Sequence, residues 1–367
     1  MTFNPAFETQ RAWVWAEEIT PLVAEVFNIY DVTVVDSGRL KFRGRLLVDS
    51  EHAYAYLYRR LHRVPAVPLF RKEGEDHVIY VALGELPRAK QRVGLALVLF
   101  ALTGLSVFWA GLWPSLGKPW PQALMDAFFF AVPLIVILAA HEMGHYIVGR
   151  FYGTEMSLPY FIPMPLFLFG TMGAFIRMVA PPRNRRQWLH IAAAGPLAGL
   201  VFALPLTFLG LLLSHVEPLP PHGGYIMEGN SLLYAWMKFV IFHKWLPSGG
   251  EDVFLHPMAW AGWAGLLVTA LNLIPAAQLD GGHVARALLG PRGGRLLTYG
   301  MIVALLALTP LWTGWGIWAL IIFLFSRYEV EPLDAITEPS GRDKVLAAIM
   351  LIIFVLLFTP IPLKTVG

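Results

Sequence analysis

From Arg92 onward the chain is a succession of apolar runs about as long as a bilayer is thick, separated by short basic or Gly/Pro-rich segments. A hydrocarbon core of about 30 Å takes roughly 20 helical residues. Inside it only helices and closed barrels satisfy their own backbone groups. The runs therefore predict membrane helices at Val93 to Trp113, Ala123 to Val148, Trp188 to Leu213, Met258 to Leu279, Leu296 to Leu311, Trp312 to Phe325 and Leu346 to Thr359. The fifth and sixth are short and meet around Pro310, which suits a tight hairpin or a broken pair. Composition agrees: 56% of the 367 residues are hydrophobic and 14% charged, where a soluble domain carries about a quarter charged. The expected fold class is a polytopic α-helical membrane protein of about six to seven transmembrane helices, with a small N-terminal α+β soluble domain.

The charge pattern argues topology rather than a partner. The net charge is only +3, and the basic residues cluster between apolar runs, so no nucleic-acid partner is indicated. Lys90 and Arg92, Arg150 with Arg177, Arg183, Arg185 and Arg186, then Arg286, Arg292 and Arg295, and finally Arg327 all fall on one side of the predicted bundle. The positive-inside rule makes that side cytoplasmic. The absence of cysteine excludes disulfides, a Cys-ligated metal and a thiol nucleophile. Met1 to Trp15 lacks the order of a signal peptide, so the first membrane helix is expected to direct insertion.

Most of the charge sits in residues 1–88. This stretch reads as helix (Glu8 to Phe27), two strands (Val32 to Val35, Leu40 to Val48), helix (Ser50 to His62, with Asp49 and Ser50 as caps) and two strands (Val67 to Arg71, His77 to Leu83). It carries no catalytic constellation and is expected to be a cytosolic regulatory or interaction domain. Residues 89–367 form the membrane-embedded domain. Within it, residues 153–182 are too broken by Pro and Gly to span and too apolar for a solvated loop. That predicts a re-entrant loop covered by protein or lining a wet cavity. Leu232 to Phe242 reads as an interfacial amphipathic helix, with Trp236 and Trp245 as anchors.

One apolar run contains His141, Glu142, Met143, Gly144 and His145. One helical turn brings the two imidazoles onto one face, where both can bind a Zn²⁺ ion, and Glu142 beside them can act as a general base. Ionisable groups within a membrane segment are costly and mark functional sites. A catalytic zinc takes three protein ligands, so a third is required. The predicted fourth span ends in Asn272–Leu–Ile–Pro275–Ala–Ala–Gln–Leu–Asp280–Gly–Gly282. This places Asp280 at the same cytoplasmic-side depth as the histidines, as the third ligand or else as a helix-end residue at the water interface. Pro275, Gly281 and Gly282 are expected to unwind the backbone there, aiming Asp280 and admitting water.

The HEMGH helix and the segment of form N-x-x-P-x-x-x-x-D-G from Asn272 to Gly281 together resemble the site-2 protease family of intramembrane zinc metalloproteases, peptidase family M50. The resemblance runs from about Arg92 to the C-terminus, through Leu158 to Pro163, Gly170 to Ile176, Ala194 to Pro196 and His256 to Gly282. It is greatest with a bacterial and plastid branch that lacks a PDZ domain. The resemblance implies one Zn²⁺ per chain held by His141, His145 and Asp280, a catalytic Glu142, and a three-helix core formed by the second, third and fourth spans. It implies cleavage of peptide bonds within or near transmembrane segments of other membrane proteins, with residues 153–182 forming a hairpin that takes the substrate as an added strand, unless that stretch is only a capping loop with no substrate role. Asn272 would position the reacting peptide, unless it only bonds the backbone freed by Pro275. Gly195, Pro196 and Gly199 are expected to allow close helix packing. The implied setting is a lipid bilayer, as an integral protein of a bacterial inner membrane with the N-terminal domain cytoplasmic. A non-catalytic relative that binds membrane proteins, and a secondary transporter using Asp280 and the histidines as a proton relay, are the alternatives; no inverted repeat supports the latter.

Overall fold

The computed structural model describes residues 5–366 except 37, 62, 221–223 and 328–329, with side chains from residue 14 onward. His62, expected to end the second helix, lies outside the described residues. The chain divides into two compact units.

The first comprises Met1–Ala89, Val179–Trp188 and Val330–Ser340. Its elements are α1 (Pro5–Ala24), β1 (Phe27–Asp36), β2 (Arg39–Leu46), α2 (Ser50–Leu61), β3 (Ala66–Glu73) and β4 (Asp76–Leu83), and its antiparallel sheet has the order β1-β2-β4-β3. The pattern follows from alternation: Leu40 and Phe42 on β2 and Ile79 and Val81 on β4 bury one sheet face against Ile19 and Val23 of α1 and Tyr54 and Leu57 of α2. A division at residue 88 does not anticipate the other two segments. Leu333–Ala335 runs along the free edge of β3, with Phe70 N donating to Leu333 O (2.9 Å) and Ala335 N to Phe70 O (3.1 Å). Its other edge takes up the 182–184 segment, through Leu333 N to Pro182 O (3.0 Å) and Asp334 N to Arg183 O (2.7 Å).

The second unit holds α3 (Val93–Leu112), α4 (Trp120–Phe151), β5 (Tyr160–Pro163), β6 (Thr171–Phe175), most of α5 (Arg185–Leu212), β7 (His215–Pro218), β8 (Tyr225–Glu228), α6 (Leu232–Phe242), β9 (Glu251–Phe254), α7 (Pro257–Asn272), α8 (Asp280–Leu308), α9 (Gly314–Phe325), α10 (Gly341–Leu357) and β10 (Leu363–Val366). Val93–Ser115, Trp120–Phe151 and Arg185–Leu212 are long and apolar enough to cross a membrane, which makes this an integral membrane protein. Close approach of α4, α5 and α7 depends on glycine. A Cβ on Gly144 would lie 2.5 Å from Ala194 O, one on Gly262 2.3 Å from Thr207 Oγ1, and one on Gly265 2.8 Å from Ile137 Cγ2.

Residues 153–182 contain a β-hairpin, β5 pairing antiparallel with β6 from Tyr160↔Phe175 to Pro163↔Thr171. Its tip is tied to α3: Ser106 Oγ donates to Gly170 O (2.5 Å) and accepts from Met164 N (3.1 Å). Gly170 has φ 71°, and a Cβ there would meet Ser106 O at 2.5 Å.

The predicted fourth and fifth spans are corrected. Helix α7 stops at Asn272 rather than Leu279, and Asp280 opens the next helix instead of closing this one. Pro275 cannot continue the α7 hydrogen-bond ladder, and Ala277 turns the chain with φ 50°, its N–H donating to Thr298 Oγ1 (3.1 Å). Gly281 and Gly282 are helical. They serve contact rather than unwinding, since their Cβ atoms would fall 2.1 Å from Leu273 O and 2.4 Å from Ala276 O. Helix α8 itself breaks at Gly290 (φ 76°), just before Pro291, so the run expected from Leu296 is the second limb of a kinked helix.

Candidate metal centre

His141 and His145 project from the face of α4 that meets α5, and Asp280 from the first residue of α8, reach the same point. The three converging atoms form an equilateral triangle: His141 Nε2 to His145 Nε2 is 3.3 Å, and each Nε2 is 3.3 Å from Asp280 Oδ2. Charge-assisted hydrogen bonds to a carboxylate would close to about 2.7–2.9 Å. Tetrahedral ligands at zinc bond lengths of about 2.0–2.1 Å stand about 3.3–3.4 Å apart. The residues therefore fit one tetrahedral ion with three protein ligands and a fourth position open.

The geometry is fixed from outside. His145 Nδ1 donates to Ile191 O of α5 (2.7 Å), which selects the tautomer that leaves the Nε2 lone pair facing the centre. Gly195 lies against the same ring: a Cβ there would be 2.0 Å from His145 Nε2, whereas one on Gly199 would be 3.3 Å from His141 Cβ. Both glycines were expected to serve helix packing; the partners they face are the two imidazoles. Glu142 is 9% exposed, and no protein hydrogen bond ties up its carboxylate among the described residues. Asn272, the last residue of α7, places its Nδ2 3.3 Å from His141 Nε2. A separate cavity of 1030 Å³, lined by Trp109, Phe130, Leu168, Tyr225, Glu228 and Asp252 among others, contains none of the three ligands.

His190 lies near the start of α5. The structure ties it to Tyr152 and Asp343, 38 and 153 positions away. No spacing rule connects residues so far apart.

Two histidines one turn apart and a carboxylate from another helix, enclosed among apolar helices, form a candidate metal centre in the membrane unit. The family model of peptidase family M50 matches residues 129–308 of the chain. Among curated proteins it is similar to the probable zinc metalloprotease EGY2, chloroplastic, of Oryza sativa subsp. indica, at 31% identity over 66% of this chain and 44% of the relative. The Arabidopsis thaliana protein of the same name is 30% identical over 67% and 44%. The Arabidopsis probable zinc metalloprotease EGY1, chloroplastic, is 32% identical over 63% and 42%. The chain thus spans less than half the length of these relatives. They are chloroplast proteins, so the comparisons do not place this chain in a bacterial inner membrane. No solved structure matches.

Proposed function

We propose that this chain is a zinc-dependent intramembrane endopeptidase that hydrolyses peptide bonds within or near a transmembrane segment of another protein. The carrying observation is the 3.3 Å triangle of His141, His145 and Asp280, a spacing that suits shared coordination and not mutual hydrogen bonding. Zinc bound there, one per chain, would bring the pKa of water to about 7 and polarise the scissile carbonyl. Glu142, next to His141 on α4 and free of protein hydrogen bonds, takes the proton of the attacking water and delivers it to the departing amine. Asn272 donates its amide N–H to the reacting carbonyl, holding it beside His141.

The free edge of β6 offers main-chain groups to an extended peptide, which supports substrate capture as an added strand while the hairpin dips into the bilayer. Helices α3, α4, α5, α7, the second limb of α8, α9 and α10 make about six to seven membrane passages. The one-sided basic clusters put the N-terminal domain in the cytoplasm or its organellar counterpart, as a regulatory or interaction module.

The test uses purified protein and a model membrane substrate. Glu142→Gln is expected to keep stoichiometric zinc and lose cleavage. Retained cleavage in the zinc-loaded variant would overturn the assignment, and wild-type protein without stoichiometric metal would favour the proton-relay alternative.

A further inference from the structure

We infer that Tyr152, His190 and Asp343 form a positioning clamp for the metal ligand His145, although none of them touches the centre; the inference rests on the metal reading above. Tyr152 caps the C-terminus of α4, seven residues beyond His145 and therefore on the same helical face. Its hydroxyl is 2.6 Å from His190 Nδ1 on α5, and His190 Nε2 is 2.7 Å from Asp343 Oδ1 in the first turn of α10. A carboxylate accepts, so His190 Nε2 donates to Asp343, which leaves Nδ1 to pair with the Tyr152 hydroxyl. The imidazole is thus held at both ends, and its carboxylate partner is buried at 2% exposure.

What this holds in place is the next residue along. Ile191 supplies the carbonyl that accepts from His145 Nδ1. The α4–α5 contact also includes the close approaches of Gly144 to Ala194 and of Gly195 to His145. Such contacts permit proximity but resist axial sliding weakly, whereas a hydrogen bond of 2.6 Å from the end of α4 to the residue preceding Ile191 fixes the register. Asp343 adds the third helix and keeps the His190 ring from turning away. A displacement of about an ångström between α4 and α5 would break the bond from His145 Nδ1, and loss of such outer partners costs about 10–100-fold in metal affinity.

The experiment measures Zn²⁺ affinity by chelator competition, and the visible spectrum of the Co²⁺-substituted full-length chain, for Tyr152→Phe, His190→Leu and His190→Gln. Tyr152→Phe and His190→Leu are expected to bind Zn²⁺ about tenfold more weakly, with altered Co²⁺ bands. His190→Gln, which keeps one donor and one acceptor, is expected to recover most of the loss. Wild-type affinity and spectra in folded Tyr152→Phe and His190→Leu, with only the melting temperature lowered, would overturn the clamp and leave a plain helix staple. If His190→Leu does not fold, Tyr152→Phe decides alone, because it removes a single hydroxyl. A wild-type chain that binds neither ion would instead overturn the metal reading itself.

Discussion

Gly195 shows how little room the centre leaves at the scale of a single residue. A methyl group there would occupy the space of His145 Nε2, the atom that faces the candidate centre, at 2.0 Å, while the same change at Gly199 meets His141 Cβ at 3.3 Å. Gly195→Ala is therefore expected to push the ring off its position, and a shift of about 1 Å can cost about a hundredfold in rate. Gly199→Ala needs movement of only a few tenths of an ångström and should cost far less. Parallel cleavage and zinc-affinity assays check the pair; equal effects would show that the ring moves aside freely. The convergence of His141, His145 and Asp280 was legible in the sequence, because two histidines at i and i+4 share a helix face and a membrane-segment carboxylate is rare enough to stand out. The role of Gly195 beyond packing was not, because the atom that it faces belongs to another helix.

Among the elements, the edge strip of the first unit is the one that sequence patterning missed. Leu333 joins the core beside Phe70, and Asp334 is 0% exposed, its Oδ1 accepting from Ile336 N (2.9 Å) and Thr337 N (3.1 Å) and its Oδ2 from the Thr337 hydroxyl. Leu333→Ala should destabilise this unit by about 2–5 kcal/mol, measured by denaturant unfolding of the full chain with a probe in the sheet. Burial raises the Asp334 pKa above its ordinary range, against the hydrogen bonds that lower it. The folded state then holds the proton more tightly than the unfolded one. The contribution to stability is complete below about pH 4 and declines as pH rises through the folded value. Asp334→Asn keeps an acceptor for the backbone and should flatten that decline; an unchanged slope would assign it to another group. Local signals located the order of the four strands and two helices, since alternation and caps act within a few residues, but they ran the first helix on to Phe27, where β1 already begins. They could not locate a strip contributed some 250 residues further on, nor the break after Asn272, where Pro275 was read as loosening a helix that in fact ends and restarts at Asp280. Both depend on pairing that only the folded chain supplies.

Over the whole molecule, two clusters of buried charge in the membrane unit follow different logic. At the candidate metal centre one carboxylate and two imidazoles converge on one point. In the strand-capped region between α5 and α7, Lys238 is 0% exposed, with its Nζ 3.1 Å from both Glu228 Oε1 and Asp252 Oδ1, and Tyr234 donates to Glu228 at 3.2 Å. The helix carrying Lys238 was expected to lie in the interface as an amphipathic element, and Trp236 is indeed exposed. The lysine points the other way because two carboxylates on β8 and β9 compensate it. One cation for two buried anions leaves the cluster electron-rich, and burial holds the Glu228 pKa above the usual carboxylate range. Lys238→Met fills the stem's volume but strands both carboxylates, a defect worth about 3–5 kcal/mol. Because Glu228, whose pKa burial raises, escapes that penalty by taking up a proton, the loss of melting temperature should be larger at pH 8 than at pH 5. Adding Glu228→Gln should recover part of it at pH 8. Zinc affinity should stay at the wild-type value, because no member of the cluster contacts His141, His145 or Asp280. An equal loss at both pH values would mean that packing of the lysine stem, rather than its charge, holds this end of the unit together.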